Sequence, residues 1–377
     1  MKLVARHYQT LKTLEIEIEQ ERYSQIKLSP INDKNLPFIA PGLVDIQING
    51  FAGIDFNRPL SEEQWEIACR SLYATGCTHF LTTLITNTTI QLETLLENLE
   101  NFRLTNPYNC IGFHLEGPFL NSDPDYRGVH NSTWMIPCEI ELFKKWQTLT
   151  PAIRLITLAP EVNPEKALTL IQQATQQNVR VAIGHSSATG ALLEQAIRVG
   201  ASAWTHLGNG LASQIHKFEN PIFYALAQPQ LFCSLIPDGI HLPPHVFKTF
   251  VKALDKRAIL TTDATAAAGA SPGDYTLGET KITRDNQNRA NKTGTEKLAG
   301  STLTPFETVF KAAQLASSSW VTMWNAYSTT PAQWLGFPSH SIEKNNEANF
   351  CLFSDVPTPR LLATIHQGRL KFGQIPN

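Results

Sequence analysis

Apolar runs rich in β-branched residues recur along the chain at 39–48, 78–84, 110–115, 153–158, 179–183, 201–205, 231–236 and 259–262. Between them lie stretches whose apolar positions repeat with helical spacing, at 62–74, 90–102, 164–177, 192–199 and 245–254. Strand alternating with helix predicts right-handed βα units on a parallel sheet, and eight units are the number that closes a barrel. The predicted fold class is therefore α/β, a (β/α)8 TIM barrel. An open doubly wound sheet is the alternative, but it asks for a Gly-rich phosphate loop after the first strand, and NGFAG at 49–53 does not fit GxGxxG.

The polar residues decide between the two. Gln47, Asn49, Glu116, Glu161, His185, His206, Asp238 and Asp263 all fall at or just past the end of a predicted strand, and in a barrel those ends share one mouth. Outside the barrel, the alternating segments 14–18 and 23–28, together with 348–354 and 361–372, read as strands. The expected organisation is a small β-sandwich-like domain built from residues 1–37 and 345–377, beside a barrel at 38–344. The polar stretch 285–296 is expected to be an exposed loop or hairpin tip.

Composition narrows the function. Across 377 residues, 31 Lys and Arg nearly balance 33 Asp and Glu, so nothing favours a nucleic-acid partner. Charged residues make up only 17%, below the roughly 25% of an average globular chain, which argues against disorder. No run of about 18 apolar residues occurs and the first residues lack an apolar signal core, so neither membrane insertion nor export is expected and the protein reads as cytoplasmic. Six cysteines without a CxxC pair suit reduced, buried thiols.

Glu116 in HLEGPF, His185 in GHS and His206 in THLGNG could converge on one divalent cation. Three N/O ligands plus water is the open pattern of a catalytic metal. Asp263, in TTDAT on the eighth strand, neighbours that position across a closed barrel and could take a proton from the activated water and return it to a leaving group. Read singly, each histidine would be structural and Asp263 a strand-end cap. Their placement on strand ends is what favours chemistry.

The ordered series PGLVDIQINGFAGIDF (41–56), GFHLEGPFLN (112–121), GHS (184–186), THLGNG (205–210), DGIH (238–241), TTDATAAAG (261–269) and LAGSTLT (298–304) resembles the N-acetylglucosamine-6-phosphate deacetylases of the amidohydrolase superfamily, over residues 38–335. The resemblance implies that Glu116, His185 and His206 bind the metal, that Asp263 is general base and acid, and that His130, beside Val129, polarises the acetyl carbonyl. It implies substrate contacts from Asn209 and Gly210, from Asp238, Gly239, Ile240 and His241, and from Leu298, Ala299 and Gly300. Many amidohydrolases carry His-x-His at the end of the first strand. Gln47 and Asn49 stand there instead, as in the single-metal variant, so one divalent ion is expected, zinc first, with iron(II), cobalt or manganese tolerated by the same ligands. His79, His114, His216 and His245 read as structural or peripheral.

One departure bears on the substrate. The stretch 213–221, SQIHKFENP, lacks the arginine with which the family grips the sugar phosphate, often from the neighbouring subunit, leaving Lys217 or His216; lysine offers a point charge without the bidentate fork. The expected reaction is removal of acetyl from N-acetylglucosamine 6-phosphate or a related N-acetyl amino sugar by a homodimer. The alternatives are a deacetylase of an unphosphorylated sugar, another amidohydrolase, and a non-catalytic sugar-binding relative.

Overall fold

The computed structural model describes residues 1–31, 33–337, 340–355 and 358–376. The chain opens with β1 (Lys2–His7), β2 (Thr13–Glu19), β3 (Arg22–Leu28) and β4 (Phe38–Pro41), and enters the barrel at β5 (Leu43–Ile48). A short hairpin, β6 (Gly50–Phe51) and β7 (Ile54–Asp55), follows. The remaining barrel strands are β8 (Cys77–Ile85), β9 (Cys110–Glu116), β10 (Ile153–Leu158), β11 (Arg180–Ile183), β12 (Ala201–Trp204), β13 (Phe232–Leu235) and β14 (Ala258–Leu260). Next come β15 (Gly273–Leu277), β16 (Thr280–Arg284) and β17 (Ala290–Lys292), then β18 (Phe350–Ser354), β19 (Arg360–His366) and β20 (Arg369–Gly373).

The eight barrel strands pair in parallel in the order β14-β13-β12-β11-β10-β9-β8-β5, and both faces of nearly every strand are buried, as in a sheet wrapped by helices. The helices start where their sequences provide caps. At Glu62–Tyr73, Ser61 Oγ accepts from Gln64 N at 3.2 Å and Gln64 Oε1 accepts from Ser61 N at 2.9 Å, satisfying two otherwise free donors.

The seam between β5 and β14 is closed differently from the other strand pairs. Ile48 bridges Ala264, Asn49 N donates to Ala264 O at 2.7 Å, and the buried Asp45 carboxylate accepts from Thr262 N at 3.0 Å and from Tyr327 Oη at 2.6 Å. The hydroxyls of Thr261 and Thr262 also donate to it. Burial pushes the Asp45 pKa up, against the pull of these donors.

The terminal strands form one continuous seven-stranded sheet, β20-β19-β18-β4-β1-β2-β3. The first predicted run, 39–48, is therefore divided: 38–41 belongs to this sheet and 43–48 to the barrel. Aromatic rings weld sheet to barrel, with Trp324 and Phe353 stacked at 4.7 Å between centroids and Trp324 Nε1 donating to Pro41 O at 2.8 Å. The stretch 285–296, expected as an exposed loop or hairpin tip, holds the turn of the β16–β17 hairpin and β17 itself, within the three-stranded antiparallel sheet β15-β16-β17. All six cysteines are buried and unpaired, and no helix among the described residues is long and apolar enough to cross a membrane.

Candidate active site

Three barrel strands hand over to the mouth through residues in the left-handed region: His185 (φ 50°), His206 (φ 33°) and Asp263 (φ 49°). Such a backbone costs a non-glycine residue about 1–3 kcal/mol and persists only where the surroundings hold it. Each turn delivers its side chain to the wall of one cavity of about 560 Å³, together with Glu116, His130, Asn49, Val129, Asn209, Gly210, His241, Leu298 and Gly300.

Glu116, buried at the end of β9, is the hub. Its Oε1 lies 3.0 Å from Gln47 Nε2, 2.9 Å from His206 Nε2 and 3.3 Å from His185 Nε2, and its Oε2 lies 3.9 Å from His130 Nε2. Donor atoms of Glu116, His130 and His185 fall within 4.8 Å of one another, and His206 touches the same carboxylate. Four candidate ligands thus surround one point. His185 Nδ1 sits 2.7 Å from Tyr126 O; a carbonyl can only accept, so Nδ1 carries a proton, and in that tautomer of a neutral ring the lone pair of Nε2 faces Glu116. A lone pair and a carboxylate facing each other at 3.3 Å repel unless a positive charge stands between them. His206 Nδ1, Gln47 Oε1 and Asn49 Oδ1 are buried without a partner. The donor set therefore fits a divalent cation.

His130 belongs to a different environment. Its Nδ1 lies 2.9 Å from Thr86 Oγ1, and with the hydroxyl donating, Nε2–H faces the cavity. Burial, with the neighbouring His185, drives its pKa down to about 3, so it is a neutral hydrogen-bond donor near pH 7. Asp263 Oδ1 accepts from Asn49 Nδ2 at 2.7 Å. Burial and then the Glu116 charge push its pKa well above the ordinary carboxylate range; a divalent charge beside it would act in the opposite sense.

Other sequence-selected residues support the mouth without lining it. Asp238 Oδ2 lies 2.6 Å from His241 Nδ1 and Oδ1 accepts from Ile240 N and His241 N, each at 2.8 Å. Burial would raise the Asp238 pKa, and the His241 hydrogen bond and charge outweigh it, leaving it lowered. His241 reaches the cavity; Asp238, Gly239 and Ile240 form its pedestal. Glu161 accepts from Ser186 Oγ (2.7 Å), Ser187 N (2.7 Å) and Asn121 Nδ2 (2.9 Å) and so fixes the GHS turn. Ala299 packs in a small apolar cluster with Leu277. His114 bonds Thr157 Oγ1 at 2.7 Å, with its pKa lowered to about 4 by burial.

Lys217 lies off the cavity. It is exposed, with Nζ 4.9 Å from the centroid of the Phe218 ring. His216 is exposed and its Nδ1 accepts from Glu219 N at 2.9 Å. Sequence reasoning passed over Lys297, which lines the cavity; its place directly before LAGS was the available signal.

A barrel whose mouth gathers a buried Glu–His–His set beside a strand-end aspartate defines the amidohydrolase class. No family model matches the chain. It is 30% identical to the N-acetylglucosamine-6-phosphate deacetylase of Bacillus subtilis over 371 residues, covering 96% of this chain and 90% of that protein. To the Mus musculus protein of the same name it is 31% identical over 347 residues, covering 88% and 83%. A solved structure of a Mycobacterium smegmatis N-acetyl-D-glucosamine-6-phosphate deacetylase variant, in complex with N-acetyl-D-glucosamine-6-phosphate, superposes with a TM-score of 0.89 at 24% identity, covering 98% of this chain and 99% of that one. The chain belongs to the N-acetylglucosamine-6-phosphate deacetylase family of the amidohydrolase superfamily.

Proposed function

We propose that this chain hydrolyses the acetamide of N-acetylglucosamine 6-phosphate, releasing acetate and the amino sugar phosphate. The reading rests on the family relationship, and the observation that carries it is the Glu116 carboxylate held among His185, His206 and His130, within one cavity that Asp263 also lines. Glu116, His185 and His206 are the proposed ligands of a single divalent ion, zinc in the first place. When bound, that ion supplies Lewis-acid polarisation of the acetyl carbonyl and a lowered pKa for the attacking water.

The chain's own residues do the rest. Asp263, oriented by the Asn49 amide, removes a proton from water and passes it to the departing amine. His130, neutral and donating from Nε2, stabilises the negative charge that develops on the acetyl oxygen. Gln47 steadies Glu116 through its amide, whose orientation is fixed because a carboxylate only accepts. Asn209, Gly210, His241, Leu298 and Gly300 are the proposed sugar contacts, with Val129 against the acetyl side. We propose further that the enzyme acts as a cytoplasmic homodimer, with the exposed Phe218 and Phe223 as apolar surface for the second copy.

The test is acetate release by the metal-loaded protein from phosphorylated and plain N-acetylhexosamines. Release of acetate from the 6-phosphate supports the proposal, and no release from either sugar by protein with its metal in place refutes it.

A further inference from the structure

At the end of the barrel opposite the metal-site mouth, where the strands begin, lies a second cavity of about 620 Å³. That end of such a barrel ordinarily serves stability, and here Trp334 closes it, packed with Ile46, Leu155 and Ile259. Around Trp334 the cavity wall turns polar. Arg180 opens β11, Lys256 precedes β14, and the helix Thr329–Leu335 brings Thr330 and Gln333.

Two cations and no carboxylate line this cavity among the described residues. Arg180 is half-buried and makes no hydrogen bond or ion pair with any of them, and burial lowers its pKa from the ordinary value. A guanidinium held partly out of water without a partner carries a desolvation cost that an arriving anion offsets. Lys256 is exposed and equally unpaired, so both positive charges face the same space.

The rest of the wall is uncharged. Ser202 Oγ accepts from Trp334 Nε1 at 3.2 Å, and its own hydrogen has no acceptor among the described residues. Thr330 and Gln333 add a hydroxyl and an amide that are equally unengaged. Phe232 and Trp334, tilted with ring centroids 6.4 Å apart, supply an apolar flank. Free hydroxyl and amide groups beside aromatic rings suit a hydroxylated body, and the two cations suit a phosphate. With no carboxylate to receive an ammonium, an amine-bearing ligand is disfavoured. The cavity is built from strand beginnings, whereas Phe218 and Phe223, proposed to meet the second copy, follow the end of β12.

We infer that this cavity binds the phosphate monoester of a small, neutral, hydroxyl-rich compound, with the phosphate on Arg180 and Lys256 and the body against Phe232 and Trp334. Gln9, fixed by donation from its Nε2 to Asn325 Oδ1 at 3.1 Å, closes one side from the loop after β1.

The probes are inorganic phosphate and glucose 6-phosphate, which carries no acetamide. Calorimetry compares the full-length parent with Arg180→Gln, Arg180→Lys and Lys256→Gln. Fluorescence titrations compare the parent with Trp334→Phe, so that any signal from the mouth is subtracted. Losing one charge-assisted contact corresponds to about a ten- to hundredfold change. Glucose 6-phosphate is expected to give a Trp334-dependent signal, to lose that much affinity in Arg180→Gln and to recover part of it in Arg180→Lys. Lys256→Gln, at an exposed charge, is expected to cost about two- to fivefold, less at high salt. Three results would overturn this: no Trp334-dependent signal with either probe, equal affinity for glucose 6-phosphate in the parent, Arg180→Gln and Lys256→Gln, or inorganic phosphate binding as tightly as the sugar phosphate. Should Arg180→Gln fail to fold, Lys256→Gln and the Trp334 signal still decide.

Discussion

The side-chain amide of Asn49 spans the barrel seam to donate to Asp263 Oδ1 at 2.7 Å. It joins the end of the first barrel strand to the end of the last, and it orients the carboxylate proposed to move protons. Asn49→Ala is expected to lower kcat by about ten- to a hundredfold, the scale of losing a charged hydrogen bond, with little change in KM. Steady-state kinetics with metal content measured alongside will show whether Asn49 positions Asp263 or holds the ion.

Asp263→Asn keeps the shape and removes the proton acceptor. Turnover is expected to fall by about a hundred- to ten-thousandfold while metal stays bound. Elemental analysis alongside single-turnover acetate release checks both, and a variant within a few-fold of the parent would place the base elsewhere.

Glu116→Gln and His185→Ala should lose metal and activity together, because each removes a donor from a buried set. The parent is expected to carry one ion per chain, since Gln47 and Asn49 bring no imidazole to a second position. Plasma emission spectroscopy before and after chelation gives the stoichiometry, and two tightly held ions would contradict it.

The terminal sheet meets the barrel at three histidines, the buried His366 and the half-buried His79 and His340, with the His79 ring 5.0 Å from His340 and 5.4 Å from His366. Burial lowers all three pKa values, that of His366 to about 3. A histidine kept neutral in the folded protein favours folding fully above its unfolded value of about 6.5, and that contribution is lost as pH falls from there toward 3. Melting temperature should therefore drop from pH 6.5 to pH 4. In His366→Gln the slope should be shallower even if the overall stability is lower. An unchanged slope would rule out this residue as a source.

The barrel was legible because its doubly buried strands concentrate apolar and β-branched residues in short runs, as LVDIQI and CTHFLTTLI do. Five helices also stood out through their spacing. The helices Ile140–Leu149 and Pro305–Ala316 did not, nor did β15. GDYTL has its first four residues exposed or half-buried, so no apolar alternation marks it. Strand-end position brought Glu116, His185, His206 and Asp263 to attention, yet the same criterion selected Glu161 and Asp238, which buttress the mouth from beneath. Position along a strand tells where a side chain emerges. It does not tell whether local backbone donors claim it first, as Ser187 N claims Glu161 and Ile240 N claims Asp238. His130 lies in an irregular loop without periodicity, so only resemblance pointed to it.

In the seven-stranded terminal sheet, β4 near the start of the chain pairs with β18 near its end, and Tyr8 Oη bonds Asn325 Oδ1 across a separation of 317 residues. A ribosome delivers the first partner long before the second. Until the last strands emerge, β1 to β4 can pair only among themselves, and β4 offers an open edge that any extended chain could occupy. The burden of assembly thus falls on the end of synthesis, and truncating the chain before β18 should yield a barrel with a sticky flank, prone to associate with other nascent chains.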